Sequence, residues 1–195
     1  MTTFSISQAR YIAAASICQA VKDSRYYLLG VCFSTSKTGA GVRIAATDGH
    51  RLLSIEDREA EAGAVVFSDV IITFTKEQLA AFKKKGGQDM PVSISTNDDG
   101  TARVAHNGVT SAAVVVDGKF PDIDRVIPEL ERKGAGVRAI GVNPRYIGDF
   151  ATVARLLADV KEPHIALHFG DVRDAIRVQF GELDHVTGVV MPTRL

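Results

Sequence analysis

The sequence has no net charge of either sign, few cysteines and few prolines. Among its 195 residues, Lys plus Arg and Asp plus Glu each total 23, with two cysteines and six prolines. Zero net charge excludes a uniformly basic surface, so any contact with DNA must come from segregated charge. Cys18, in a predicted helix, and Cys32, in a predicted strand, have neither metal-ligand nor disulfide-framework spacing. We expect two buried thiols in a reducing cytoplasm.

Long apolar runs are also absent. Residues 1–7 have neither the basic start nor the apolar stretch of a signal peptide, and no run approaches the ~18 apolar residues of a membrane span. The composition, 46% hydrophobic and 24% charged, is that of globular proteins, and the length allows one or two domains. The sequence predicts a folded cytoplasmic protein with no membrane partner.

What the sequence does contain is a repeat. Three short alternating segments, 4–7, 72–75 and 140–143, each end in a residue that favours a helix N-cap: Ser7, Thr75 and Asn143. The caps are 68 positions apart in both intervals, and the apolar residues of the segments are in phase. We predict a helix after each cap, over residues 8–22, 76–85 and 144–158.

Period-two segments follow each helix and predict antiparallel strands. They cover residues 27–34 and 42–46, then 92–95, 102–105 and 111–116, then 165–169, 176–180 and 186–190. The fold class is therefore α+β, built from three repeated units of strand, helix and antiparallel sheet. Two units should pair into one domain, 1–128, followed by a linker, 129–136, and a third unit, 137–195. That third unit needs a partner, which we expect from another subunit.

One string carries a family resemblance. Ala46-Thr47-Asp48-Gly49-His50-Arg51-Leu52 resembles the hallmark of the β subunit of bacterial DNA polymerase III, the sliding-clamp family. Further agreement comes from Arg25-Tyr26-Tyr27-Leu28, from residues 117–122 and 125–128, and from the C-terminal residues 189–195. By this resemblance, residues 1–128 correspond to the family's middle domain and residues 137–195 to the second half of its last domain. A typical member has six units, so this chain resembles a shortened member.

The resemblance implies a DNA-clamp fold and a ring-forming polymerase processivity factor that has no catalytic activity and no cofactor. In the family, a hydrophobic pocket accepts short peptides from DNA polymerase and clamp loader. We expect Met191 to adapt to varied partners and His50, Arg51 and Arg194 to supply polar groups at the pocket rim. The expected pocket residues are Leu28, Thr47, Gly49, His50, Arg51, Leu52, Pro121, Arg125, Val126, Val189, Met191, Pro192, Thr193, Arg194 and Leu195.

The resemblance also implies that double-stranded DNA passes through the ring and that basic side chains on the helices meet phosphates without reading bases. Residues 83–85 form a lysine run uninterrupted by acidic residues. The usual ring has a dozen units, so three units per chain suggest a homo-oligomer of about four copies. The DNA-binding candidates are Arg10, Lys22, Arg25, Lys76, Lys83, Lys84, Arg145 and Arg155.

Other interpretations remain open. The Asp48-Gly49 pair can be a simple hairpin turn and the tail a plain last strand, and a catalytic role for Asp48 and His50 lacks a nucleophile or metal partner. The runner-up function is an adaptor or decoy that binds clamp-interacting peptides without encircling DNA. A third is a regulatory protein that binds DNA non-specifically through its lysine-rich helix.

Overall fold

The computed structural model describes residues 2–37, 40–61, 67, 69–83, 90–130, 139–171 and 173–193. Within them the chain forms three units, each with one helix. The first comprises β1 (Thr3–Ile6), α1 (Ala9–Ala15), β2 (Val31–Thr35), β3 (Val42–Thr47) and β4 (Arg51–Asp57). The second comprises β5 (Val70–Thr73), α2 (Lys76–Phe82), β6 (Val92–Thr96), β7 (Thr101–His106) and β8 (Val109–Val116). The third comprises α3 (Pro144–Leu157), β9 (Ile165–His168), β10 (Ile176–Phe180) and β11 (Val186–Val190).

All these strands belong to one antiparallel sheet. Its strand order is β1-β6-β7-β8-β5-β2-β3-β4-β11-β10-β9. The first two units exchange their opening strands, because β1 pairs with β6 and β5 pairs with β2. This reciprocal pairing joins the two units, and the predicted α+β class with antiparallel meanders is confirmed.

The three helices form one layer on the sheet, with α1 in contact with both α2 and α3. On α3, Phe150, Ala154 and Leu157 recur at helical spacing and are buried, so they form the apolar face of this helix. These side chains belong to one apolar cluster with buried residues of the other two units. In the described part of the chain, no helix has the length and apolar character needed to cross a membrane.

Two helices begin at the predicted caps. Thr75 and Gln78 form a reciprocal capping box, in which the Gln78 N–H donates to Thr75 Oγ1 and the Thr75 N–H donates to Gln78 Oε1. The Asn143 side chain accepts the N–H of Arg145 at 3.0 Å, with Pro144 at the first helical position. Local sequence therefore determines where α2 and α3 start.

The first helix differs from its prediction at both ends. Ser7 is not the cap, because its hydroxyl donates to Asp57 Oδ1 at 2.7 Å, and Gln8 takes the N-cap position without a side-chain bond. The α-helix ends at Ala15 and continues as a 3-10 turn, Ser16–Cys18, instead of reaching residue 22. Both differences follow from tertiary contacts that local pattern does not contain.

The third unit lies against the first unit of the same chain. Strand β11 pairs with β4 over five residues, and α3 contacts α1. The β11 edge is thus covered within the chain, and the expectation that another subunit completes the third unit stays a prediction. Segment 140–143 is not a strand within the described residues, since Gly141 makes only an isolated bridge to Thr193. The opposite edge, β9, is the last strand of the sheet.

Candidate functional site

The candidate site lies on the seam between β4 and β11. Leu52 pairs with Val189 and Arg51 with Val190, and the Met191 N–H donates to the His50 carbonyl at 2.8 Å. The family-like string and the C-terminal segment, which are about 140 positions apart in sequence, thus meet in one ladder. Side chains alternate along this ladder, so Leu52 and Val189 face away from the helices.

The outer face of the sheet is covered by a second apolar cluster. Cys32, Leu52, Ile71 and Val189 of the sheet pack there against Phe120 and Ile123 of the segment that follows β8. At the edge of this cluster a cavity of about 180 Å³ opens to solvent. Its lining residues are Arg25, Tyr27, Leu28, Thr47, Gly49, His50, Arg51, Leu52, Pro121, Asp122, Ile123, Val126, Val189 and Met191.

A tight turn forms one wall of the cavity. Thr47 Oγ1 donates to the Arg51 carbonyl at 2.6 Å and accepts the Gly49 N–H at 3.0 Å. Gly49 has φ +87°, and a Cβ there would lie 3.0 Å from the Arg25 guanidinium. Glycine is needed here both for its left-handed backbone and for the close approach of that side chain. Asp48-Gly49 therefore lies in a tight turn between two strands, as the simpler interpretation predicted. This turn forms one wall of the cavity.

The Arg25 side chain at this wall forms an ion pair with Asp23. Arg25 donates from Nε and Nη2 to the two carboxylate oxygens of Asp23, at 3.0 and 2.7 Å, and Nη2 also lies 3.3 Å from the Asp48 carbonyl oxygen. The hydrogen bonds from Arg25 lower the pKa of Asp23 to about 2. The pair stays ionised at neutral pH and holds the Arg25 side chain beside Gly49.

Arg51 has a different role from the one we expected. Arg51 is among the residues that line the cavity, but its side chain is 6% exposed and lies on the helix side of β4. The guanidinium donates to Asp149 of α3 and to the Ile17 carbonyl at 2.7 Å, and lies 4.8 Å from the Tyr146 ring centre. It joins the first unit to the third and is not a polar group on the rim.

Burial and nearby charges shift the pKa values of Arg51 and of its neighbour Cys18. Burial alone would lower the pKa of Arg51. The hydrogen bond to Asp149 and the nearby charges together raise this pKa by more, so the net shift is upward. Burial raises the pKa of the neighbouring Cys18 thiol to about 12, despite the opposing charge of Arg51. Cys18 and Cys32 are both free and buried, as predicted.

The other predicted pocket residues fall into three groups. Arg125 lines an adjoining cleft of about 490 Å³, which shares Val126 and Met191 with the cavity. Pro192 is not among the lining residues of either space, and the Thr193 N–H donates to the Gly141 carbonyl at 2.8 Å. Arg194 and Leu195 lie outside the described residues.

Sequence reasoning missed three lining residues: Tyr27, Asp122 and Ile123. Tyr27 and Asp122 lie inside segments quoted for the resemblance, so taking whole segments would have included them, whereas Ile123 lies directly after one of these segments. Arg25 was assigned to DNA but lines the cavity, on the outer side of the sheet. That placement separates it from the helix layer, where the other candidates for DNA contact are expected.

The remaining DNA-binding candidates lie on or beside the helices. Arg10 of α1 donates to Asp159 at 3.3 Å, and Arg145 lies 3.8 Å from Asp149. Lys22, Lys76 and Lys83 are exposed. Arg155 of α3 is exposed too, while Lys84 lies outside the described residues. The helix layer thus presents separate cations and no continuous basic stripe among its described residues, and DNA contact by these side chains stays a prediction.

Comparison with solved structures defines the class of the fold. A DNA polymerase sliding clamp from Pseudomonas aeruginosa matches all of this chain and 67% of its own, with a TM-score of 0.75 at 22% identity. The polymerase III β subunit of Caulobacter crescentus matches all of this chain and 66% of its own, with a TM-score of 0.75 at 22% identity. The chain therefore has the α+β sliding-clamp fold, over about one and a half of its domains.

Sequence comparison identifies the family. The profile described as "DNA polymerase III beta subunit, central domain" matches residues 5–122. The beta sliding clamp of Escherichia coli K12 is 33% identical over 130 residues, 65% of this chain and 34% of that protein. That of Vibrio cholerae is 35% identical over 113 residues, 57% of this chain and 29% of that protein. The chain belongs to the DNA polymerase III β subunit family and spans about a third of the length of these curated relatives.

Proposed function

We propose that this protein is a non-catalytic sliding clamp. Its seam cavity binds short peptide segments of a DNA polymerase and a clamp loader, and its assembled ring holds double-stranded DNA without reading sequence, in the cytoplasm. The observation that carries the proposal is the apolar cavity at the β4–β11 seam, formed where segments distant in sequence converge. No charge cluster or nucleophile is needed for such a role.

The cavity has the character of a peptide-binding site. Two of its apolar lining side chains are exposed: Val126 is 46% exposed and Met191 38%. Apolar side chains in an open concave surface favour a partner that buries them. The flexible thioether of Met191 can adjust to different side chains of a bound peptide. The adjoining cleft enlarges the surface on which an extended peptide could lie.

Replacement of Met191 tests the site. Met191→Ala should weaken binding of a peptide that binds the Escherichia coli clamp by about tenfold, since truncating a central anchor costs roughly 1–2 kcal/mol. The fold should not change, because the side chain is already 38% exposed. Fluorescence anisotropy of the labelled peptide, titrated with each variant, measures the affinity.

Val160→Ala is the matched control, because Val160 is 61% exposed and does not line the cavity. It should bind the peptide as the unmodified protein does. Equal affinity of the Met191 variant and the unmodified protein would remove the cavity from the proposal. Deleting Arg194 and Leu195 extends the test to the tail and should also weaken binding.

Encircling DNA requires the open sheet edges to be joined between copies. Strand β8 pairs with β5 only through Val114–Val116, so within the described residues its other half, 109–113, has β7 as neighbour on one side alone. In the first unit the corresponding last strand, β4, is extended by β11. Pairing β8 of one copy with β8 of another would form the same kind of seam between chains. Four chains of three units each would then supply a ring of twelve units.

A second function is favoured by the incomplete third unit. Strand β9 ends the sheet, and a chain whose edges stay open would be an adaptor that binds clamp-interacting peptides without encircling DNA. The adaptor predicts full peptide affinity with no retention on circular DNA. The clamp predicts full peptide affinity together with retention on circular DNA. Retention on DNA is therefore the measurement that distinguishes the two functions.

A further inference from the structure

The third unit has an unpartnered edge that carries apolar side chains. Ile165 and Leu167 of β9 pack against the core but remain half-buried, and no residue of the strand is fully buried. Just beyond the strand, Phe169 is 45% exposed. A sheet that ends on such residues exposes both backbone donors and apolar surface, which favours pairing with another strand.

The first two units show what completes this edge. In the second unit, Val92 and Ile94 of β6 are fully buried, because β1 of the first unit pairs with them through Ile6 and Phe4. The first unit is completed in the same way by β5. In both cases the first strand after the helix is covered by the opening segment of a second unit.

The third unit has its own opening segment in place. Gly141 bridges Thr193, just after β11, as Ser5 bridges Glu61 after β4. Ile140 and Val142 on either side are half-buried, like Ile165 and Leu167. The unit therefore offers both halves of the exchange seen in the first domain, an opening segment and a strand that receives one.

We propose that β9 receives the opening segment of the third unit of a second copy of this chain. The exchange is reciprocal across a twofold axis, so that residues 139–142 of each copy extend β9 of the other and two half-domains make one closed domain. The contact is self-complementary, because each chain supplies both an opening segment, residues 139–142, and a β9 strand that receives one. The proposal rests on the self-assembly that the clamp function above requires.

The pairing has a consequence for assembly. A dimer made in this way is a row of three complete domains, and in each copy residues 109–113 of β8 still have no second neighbour among the described residues. Two dimers joined through β8 would then close a ring of four chains. The ring therefore has two distinct interfaces, one at β9 and one at β8, and each can be removed alone.

Glutamate substitutions at exposed apolar positions test the two interfaces separately. Phe169→Glu should halve the mass of the assembly, from four times the chain mass of 20.9 kDa to twice that mass. Val109→Glu, at the β8 edge where Val109 is 66% exposed, should also halve it, and the double variant should be a single chain. Val21→Glu, at a side chain 90% exposed, is the control and should leave the mass unchanged.

Mass is measured by light scattering after size exclusion, and amide hydrogen exchange of residues 165–169 gives a second readout. Protection of these amides should rise with concentration in the unmodified protein and should not rise in the Phe169 variant. A four-chain mass that Phe169→Glu leaves intact, without such protection, would overturn the β9 contact while leaving self-assembly standing. A single chain at every concentration would overturn both. Peptide affinity, which should be unaffected by Phe169→Glu, reports on the cavity separately.

Discussion

Arg51→Ala should lower the free energy of unfolding by about 2–3 kcal/mol. The side chain is 6% exposed and donates hydrogen bonds to Asp149 and to the Ile17 carbonyl, so its removal takes a donor from both acceptors at the junction of the first and third units. Breaking a buried ion pair costs about 3–5 kcal/mol, and the partial exposure of Asp149, 27%, reduces the expected value. Urea unfolding at neutral pH measures the difference.

A matched control lies on the same seam. Arg58 lies 3.2 Å from Asp184 of the third unit, but the two side chains are 61% and 72% exposed. Arg58→Ala should therefore change stability by no more than about 0.5 kcal/mol. If both variants lose the same stability, the seam does not depend on the buried contact of Arg51.

Replacing three exposed lysines of the helix layer should weaken non-specific DNA binding by at least tenfold at low salt. Lys22, Lys76 and Lys83 are exposed, and no ion pair is found for them among the described residues. Removing one lysine–phosphate interaction reduces the slope of log affinity against log salt by about 0.9, so the triple alanine variant should show a slope smaller by roughly 2.7. Anisotropy of a labelled duplex, titrated across a salt series, gives affinity and slope.

The control for this variant removes equal charge from the opposite side. Lys119, Arg125 and Arg173 are exposed, and the two arginines line the cleft beside Met191. Their triple alanine variant should keep the DNA affinity and salt slope of the unmodified protein. Equal losses in both triple variants would show that overall charge, and not the helix layer, sets the affinity.

The elements that local sequence determines were predictable. The cap residues Thr75 and Asn143 place α2 and α3, and the alternating segments of the second and third units become strands. Strand β4 was missed although it lies within the family-like region. Its residues are buried on both faces, with Leu53 toward the helices and Leu52 toward the outer cluster, so period-two alternation of polar and apolar residues is lost.

Errors arose where distant residues determine the local structure. Asp57, fifty positions away, takes the hydroxyl of Ser7 that was expected to cap α1. Arg51 binds the Ile17 carbonyl at the end of the same helix. Neither contact has a signature in a local window, because each joins segments that only the folded sheet brings together.

The candidate site was predictable in its residues but not in its geometry. The resemblance selected ten residues that line the cavity, and Leu52, Val189 and Met191 meet there as expected. It could not show which face of β4 each side chain takes, since that depends on the register of β4 with β11. Arg51 was therefore expected at the rim, whereas its guanidinium lies among the helices.

Retention on DNA tests the central claim most directly. Protein at a concentration that favours assembly is mixed with nicked circular plasmid, passed over a sizing column at about 0.5 M salt to suppress simple charge contacts, and compared with the same plasmid after one restriction cut. The proposed clamp remains with the circle and is lost from the linear DNA. Equal behaviour on both, from a protein whose mass is that of four chains, would contradict encirclement.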